Sequence, residues 1–338
     1  MTQAMTRTST VLILGARGRL GLAAARAFAQ AGWRVFGQIR PGATAPVVPG
    51  VQWLAHDLQD TAGLVAVTGG ARVVLHALNP AYTAAAWREQ APGLMTAALA
   101  LARALHATLM LPGNVYNYGE DMPVVLQEST PPRARHELGR IRVALEQQMA
   151  QAVEDSGGAM RALVLRAGNF FGASEGTFLD KMVAPQLPRG RVSWMGDLDV
   201  STPWAYLPDL ARTLVMLAER SDLAPFETFH FAGHQVTARQ WMAVLGQVAL
   251  EQGWLQPGEA LTVRRVPLWF FRLFGLVSPT LATIAQTGYL FSTPHRLDNT
   301  RLVQWLGAEP RTPFELAVRQ SLQAMRLPLA SGHEALVA

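Results

Sequence analysis

The residues best placed to do chemistry begin at Gly15. Val11-Leu12-Ile13-Leu14 is an apolar run that ends in Gly15-Ala16-Arg17-Gly18-Arg19-Leu20-Gly21, and Leu20–Ala31 is Ala-rich with helical spacing. A strand, then Gly-x-x-Gly-x-x-Gly, then a helix is the arrangement that cradles a dinucleotide pyrophosphate. Gly15 permits the tight turn, Gly18 lets backbone approach the phosphates, and Gly21 lets helix and strand pack closely. Arg19 and Leu20 open the helix, whose free N–H groups and positive dipole end suit an anion. A purely structural turn would use the same glycines, but the strand before, the helix after and the βαβ context favour the nucleotide.

The second strand bears on which dinucleotide. An NAD site usually carries Asp or Glu at the end of this strand for the ribose 2′-hydroxyl, whereas Arg suits a 2′-phosphate. Here the strand ends Gln38-Ile39-Arg40, with no acid, and Arg17 lies inside the glycine loop. Two guanidinium groups match a phosphate dianion, so NADP(H) is expected over NAD(H). The alternative for Arg40 is a solvated turn residue.

These residues need a scaffold. In the 338-residue chain half the residues are hydrophobic and 16% are charged, which excludes a disordered or fibrous protein. There is no cysteine, and so no disulfide, thiolate nucleophile or Cys-based metal site; no other metal-ligand cluster is expected. The net charge is +5 and the pI about 10.2, because 28 of the 29 basic residues are Arg and only Lys181 is a lysine. The arginines are spread along the chain rather than clustered, which argues against nucleic acid. Apolar runs (Val11–Leu14, Arg34–Ile39, Val51–Ala55, Val73–His76, Thr108–Leu111, Arg161–Leu165) are separated by helical stretches such as Ala91–Leu105 and Glu137–Ala152. That alternation implies βαβ units and a parallel sheet. No stretch reads as a signal or a spanning helix, so a soluble cytoplasmic protein with no membrane partner is expected.

By these motifs the chain resembles the extended short-chain dehydrogenase/reductase family, the nucleoside-diphosphate-sugar epimerase/dehydratase group, nearly end to end. The Gly15–Gly21 turn matches the family's glycine loop. His56-Asp57-Leu58 looks like its third-strand Asp-Leu, implying that Asp57 and Leu58 border the adenine. Val74-Leu75-His76-Ala77-Leu78 resembles its fourth-strand segment, implying that Ala77 and Leu78 lie beside the cofactor, with Asn79 next to the substrate. Leu165-Arg166-Ala167-Gly168-Asn169-Phe170-Phe171-Gly172 looks like its Leu-Arg-x-x-Asn-x-x-Gly, implying that Asn169 and Phe170 face the substrate. Trp204 to Ala211 and Asp298 to Gly307 are similar to two further motifs of the family.

The departures bear on mechanism. The family uses Tyr-x-x-x-Lys on a helix, with a Ser or Thr after the fifth strand; the ammonium lowers the Tyr pKa so that the phenol exchanges a proton during hydride transfer. This chain has Leu138 at the Tyr position and Arg142 at the Lys position. In Pro112-Gly113-Asn114-Val115-Tyr116-Asn117-Tyr118-Gly119, Gly113 borders the cofactor and Asn114 takes the Ser/Thr position. Leucine cannot transfer a proton. Tyr116 or Tyr118 could replace the missing acid, with Arg142 stabilising a phenolate and Asn114 polarising a carbonyl; both tyrosines could also be packing aromatics. Thr202 stands where the family's diphosphate-binding Arg belongs, which disfavours nucleotide-sugar epimerisation.

Other candidates have simpler readings. His136, beside Arg133 and Arg135, is expected to be solvated, and Lys181 to be a surface helix residue. His230 and His234 straddle Ala232-Gly233, a poor metal pair. Trp269-Phe270-Phe271 and Phe274 are expected to form a helix face over the substrate cleft.

The expected architecture is α/β: a doubly wound parallel Rossmann-type sheet with a smaller mixed, helix-rich C-terminal substrate domain. Residues 8–170 would form the NADP-binding domain, with returning segments near 200–216 and 228–233, residues 171–328 mainly the substrate domain, and 329–338 a tail. The expected function is NADPH-dependent reduction of a small carbonyl-type molecule bound between the domains. A non-catalytic NADP(H)-binding sensor or interaction protein is the alternative, and a sugar-nucleotide epimerase/dehydratase a weaker one. A homodimer is compatible with the sequence.

Overall fold

Period-two alternation sorts the first strand's side chains onto two faces. In a computed structural model, which describes residues 8–172, 178–325 and Leu327, Val11 and Ile13 enter one apolar cluster while Leu12 and Leu14 enter another. The same sorting recurs along the sheet, with Leu163 and Leu165 on one side and Ala162 and Val164 on the other. Strands buried on both faces need cover on both, which accounts for their unbroken apolar runs.

The strands are β1 (Thr10–Leu14), β2 (Arg34–Ile39), β3 (Val51–Ala55), β4 (Ala71–His76), β5 (Thr108–Asn114), β6 (Arg161–Ala167) and β7 (Phe226–Phe231). They form a seven-stranded sheet in the order β7-β6-β5-β4-β1-β2-β3, parallel throughout. The chain leaves β1 toward β2 and β3, then crosses to β4 on the other side of β1. The carboxyl ends of β1 and β4 thus flank a switch point, where open α/β sheets bind ligands.

Helices α1 (Arg19–Gln30) and α5 (Leu207–Ala218) cover one face, packed on each other. Helices α2 (Thr61–Thr68), α3 (Ala84–Ala104) and α4 (Glu137–Glu154) cover the other. Helix α3 starts seven residues before the expected Ala91, because the Thr83 hydroxyl caps it by accepting the Ala86 N–H at 3.2 Å, and it carries Pro92 in its interior. Strand β5 likewise runs through Pro112 instead of stopping at Leu111. β4 pairs only with Thr108–Met110, so Pro112 lies beyond that ladder and needs to satisfy one neighbour only.

The C-terminal half adds smaller elements. Asn169–Phe171, Thr202–Tyr206 and His234–Val236 form a three-stranded sheet. It joins α6 (Ala238–Glu251) and α10 (Phe314–Ala324) around an aromatic core in which Trp241 lies 5.0 Å from Trp204 and 5.1 Å from Phe171, ring centre to ring centre. Two short helices, α7 (Leu268–Phe274) and α8 (Pro279–Thr287), and then α9 (Thr300–Leu306), lie between α6 and α10. Arg296–Leu297 pairs with Val125–Leu126 and so ties the segment after β5 to the C-terminal half. The expected tail, 329–338, lies outside the described residues.

Candidate active site

The glycine loop is built as the sequence implies, and each glycine has a visible reason. Gly15 has φ +71°, the left-handed region that favours glycine. A Cβ on Gly21 would fall 2.4 Å from the Gly15 carbonyl oxygen, so no side chain fits between helix and turn. Gly18 is the extended N-cap of α1, with no side-chain capping bond competing for the first N–H groups. Ala77 and Leu78 border Gly15, whose added Cβ would meet the Ala77 oxygen and Leu78 Cδ2 at 3.0 Å. Gly113 has a packing reason instead, since its Cβ would touch Arg166 Cγ at 3.0 Å.

Arg17, Arg40, Asp57 and Asn79 are all exposed, and Leu58 is buried. Asp57 Oδ1 accepts the Gln59 N–H at 3.0 Å. Arg19 is half-buried, where burial lowers its pKa although the charge of Asp180 pulls the other way. Gln38 escaped the sequence reading. It is buried, its Oε1 accepts the Gly15 N–H at 3.3 Å and its amide donates to the His56 carbonyl at 2.8 Å, which braces the loop.

Beyond the loop, at the carboxyl end of β5, lies a cluster of hydroxyls. The Tyr116 and Tyr82 hydroxyls are 3.0 Å apart, and Tyr82 is also 3.0 Å from the Thr287 hydroxyl on α8. Asn114 Oδ1 accepts the Tyr116 N–H at 3.1 Å and so orients it. Burial, with Tyr82 and Tyr289 nearby, pushes the Tyr116 pKa well above its ordinary value, although Arg142 pulls the other way. The expected phenolate is therefore not what the site favours: Tyr116 is a protonated phenol. Arg142 itself is half-buried and stacked over Trp87, its Cζ 4.7 Å from the ring centre. Next to it His76 is buried with neither ring nitrogen bonded among the described residues, and burial and the Arg142 charge lower it to about 4.

Leu138 is wholly buried, so the helix position that carries the family's tyrosine has become part of the core. Two histidine and tyrosine expectations need correction. His136 is not solvated: its Nδ1 accepts the Gly139 N–H at 3.2 Å as the N-cap of α4, which leaves Nε2–H to donate to the Tyr289 hydroxyl at 3.2 Å. Tyr118 is no candidate acid: its hydroxyl donates to His230 Nε2 at 2.6 Å and accepts from Arg166 at 2.6 Å. Arg166 is paired with Glu146, and His230 Nδ1–H donates to the Leu126 carbonyl at 3.1 Å, so His230 is fully occupied. His234 starts a separate strand.

Asn169 and Phe170 are partly exposed on their strand, Phe170 beside the cluster that Leu20 and Ala77 also contact. Thr202 is buried and accepts the Trp204 indole N–H at 3.1 Å. Lys181 is exposed. The aromatic stretch does not cover the site as expected: Phe271 is buried, but Trp269 and Phe274 are 62% and 43% exposed. Among the described residues no group of three or more His, Asp or Glu could hold a metal ion.

The residues present fit a nicotinamide dinucleotide. The glycine cradle would hold the pyrophosphate, and the buried unbonded nitrogens of His76 and Arg142 offer polar partners at the sheet's carboxyl edge.

The sequence matches the model of the NAD dependent epimerase/dehydratase family over residues 11–230. No curated protein matches it. Among solved structures it is similar to a putative epimerase from Burkholderia cenocepacia, at 20% identity and TM-score 0.71, covering 95% of this chain and 99% of that one. It is similar to a UDP-glucose 4-epimerase from Thermotoga maritima solved with UDP-glucose, at 17% identity and TM-score 0.71, covering 93% and 98%. It also resembles an NAD-dependent NDP-hexosamine 5,6-dehydratase of tunicamycin biosynthesis, at 17% identity and TM-score 0.69, covering 94% and 97%. At these identities the likeness is one of fold.

Two outcomes follow from the buried groups. Tyr118→Phe leaves His230 and Arg166 each short of a partner, and chemical denaturation should show a loss of about 1–3 kcal/mol; an unchanged midpoint would remove the network's structural role. His76, His230 and His234 are each lowered, chiefly by burial, from 6.5 to about 4. The unfolded chain thus takes up protons before the folded one does, and stability should fall as pH drops from 6.5 toward 4. A thermal midpoint that stays level across that window would contradict the assignment.

Proposed function

The chain belongs to the NAD dependent epimerase/dehydratase family, and within it we propose an NADPH-dependent reductase of a small carbonyl-type substrate with Tyr116 as the proton donor. The observation that carries this reading is the hydroxyl pair Tyr116–Tyr82, 3.0 Å apart at the carboxyl edge of the sheet, with the charges of Arg142 and Arg19 acting on Tyr116.

When bound, a reduced nicotinamide supplies a hydride to the substrate carbon. Tyr116 gives its hydroxyl proton to the substrate oxygen, so the carbonyl becomes an alcohol. Tyr82 and the two guanidinium groups steady the negative charge that develops on the Tyr116 oxygen. Burial keeps Tyr116 protonated at neutral pH, which suits donation and hence the reductive direction. A phenol of raised pKa is a weak acid, so positioning supplies much of the rate. Asn114 spends its carbonyl oxygen on the Tyr116 N–H, leaving its amide to polarise a carbonyl.

Exposed Arg17 and Arg40, with no acid at the end of β2, support NADP(H) over NAD(H). The buried Thr202 supports a substrate without a diphosphate. Sugar-nucleotide epimerisation or dehydration is the second reading. The family match and partly exposed Asn169 favour it.

Cofactor titration tests the first half. NADPH should bind more tightly than NADH, and Arg40→Ala should weaken NADPH alone by about tenfold or more; equal or tighter NADH binding overturns the preference. Turnover tests the second. Tyr116→Phe should lower NADPH oxidation against a carbonyl panel by about 10²–10⁴-fold with cofactor affinity intact. Inversion of UDP-glucose at C4 by the wild type would replace this reading with the second, and tight NADPH binding with no turnover on any substrate would replace it with a binding protein.

A further inference from the structure

Arg142 is a cation without a counter-ion. It is half-buried on α4, its Nε is buried and unbonded, and among the described residues no carboxylate pairs with it. The acids on its own helix are committed elsewhere, Glu146 to Arg166 and Glu137 to Arg88. Tyr116, on which the Arg142 charge acts, is a protonated phenol, and burial together with that charge keeps His76 neutral at pH 7. A guanidinium drawn out of water needs a partner charge and a full set of hydrogen bonds. The described residues supply neither.

The groups around it are unpartnered too. The indole N–H of Trp87, on whose ring Arg142 stacks, is buried without an acceptor, and both ring nitrogens of His76 are buried and unbonded. Trp87 is 2% exposed and His76 6%. Trp Nε1 and Arg Nε can only donate, and a neutral imidazole brings one donor and one acceptor. The cluster therefore has surplus donors and a positive charge. A ribose hydroxyl or a carboxamide brings donors along with its acceptors and no charge, whereas a carboxylate is acceptor throughout and carries the missing charge. Its two oxygens also match the planar fork of a guanidinium held with one face against an indole.

We infer that the substrate is a small oxo acid, whose carboxylate pairs with Arg142 while its carbonyl meets the Tyr116 hydroxyl. This rests on the reductase reading and narrows it. Because the Arg142 charge is felt at Tyr116, the two substrate groups stand close along the carbon chain, as in a 2-oxo or 3-oxo acid. The carbonyl carbon takes the hydride of the reduced cofactor and its oxygen takes the Tyr116 proton. The product is the hydroxy acid with its carboxylate unchanged, the cofactor leaves oxidised, and Tyr116 regains a proton from water. While the phenolate lasts, it shares the guanidinium with the carboxylate.

The test compares acids with their neutral esters. With NADPH, the protein should reduce 2-oxobutyrate or 3-oxobutyrate with a kcat/KM about tenfold to a hundredfold above that for the methyl ester. Arg142→Gln should erase that preference, and any general part Arg142 plays in turnover cancels in the ratio. Arg142→Lys, which keeps a cation but not the fork, should retain part of the preference and covers the case in which the glutamine variant does not fold. NADPH affinity should be the same in the wild type and both variants. An ester reduced as well as its acid overturns the inference and leaves the reductase reading standing. So does a preference that survives Arg142→Gln, or a loss of NADPH affinity in its place, which would give Arg142 to the cofactor. If no carbonyl compound is reduced, the reductase reading fails, and calorimetric titration of 2-hydroxybutyrate into the NADP+ complex decides the carboxylate site. Binding that Arg142→Gln abolishes upholds the site; no binding overturns it.

Discussion

A carboxylate and a guanidinium withdrawn from water must find each other, and much of this site stands on that requirement. Glu146 on α4 and Arg166 on β6 pair with 10% and 11% of their side chains exposed. Arg166 also donates to Tyr118, Tyr118 to His230 on β7, and His230 to the Leu126 carbonyl. One connected set of bonds therefore locates α4 against the sheet and pins the segment after β5. Tyr116 and His136 owe their positions to these two elements. A cluster of phenols needs such anchoring, because a hydroxyl displaced by an ångström no longer shares a proton.

The family's Tyr–Lys pair solves proton transfer by placing both groups on one helix. Here Leu138 fills the first position with core, and Arg142 keeps a cation at the second. The hydroxyls that meet at the sheet's carboxyl edge come instead from three other elements: the end of β5, the loop before α3, and α8. The cation has changed its role as well. A flexible lysine can approach a phenol, whereas Arg142 is flattened over Trp87 and acts from a fixed place. Burial then outweighs its pull on Tyr116, which accounts for the protonated state.

The scaffold was largely legible from the chain. Continuous apolar runs marked buried strands, the glycine spacing marked the cradle, and the substitutions at 114, 138 and 142 were visible against the family pattern. What escaped was set by contacts between distant residues. His136 looked solvated from its neighbours Arg133 and Arg135, but its partners are the Gly139 N–H and a tyrosine 153 positions away. Tyr82 carried no motif and gains its meaning only beside Tyr116 and Thr287. Gln38 read as a missing acid, when its amide is what braces Gly15. The α7 aromatics were assigned to cover because apolar residues usually face inward, and only Phe271 does.

The bond between Tyr82 and Thr287 closes a span of 205 residues, and that span separates two events in time. All seven strands of the large sheet are present once the chain has been made as far as Phe231, so the cradle has its full set of parts while α7 and α8 are still unmade. Contacts so far apart in sequence form late, since the loop between their ends must first be closed. During synthesis the glycine cradle thus precedes the α7–α8 segment, and a chain cut after Phe231 would carry the first without the second.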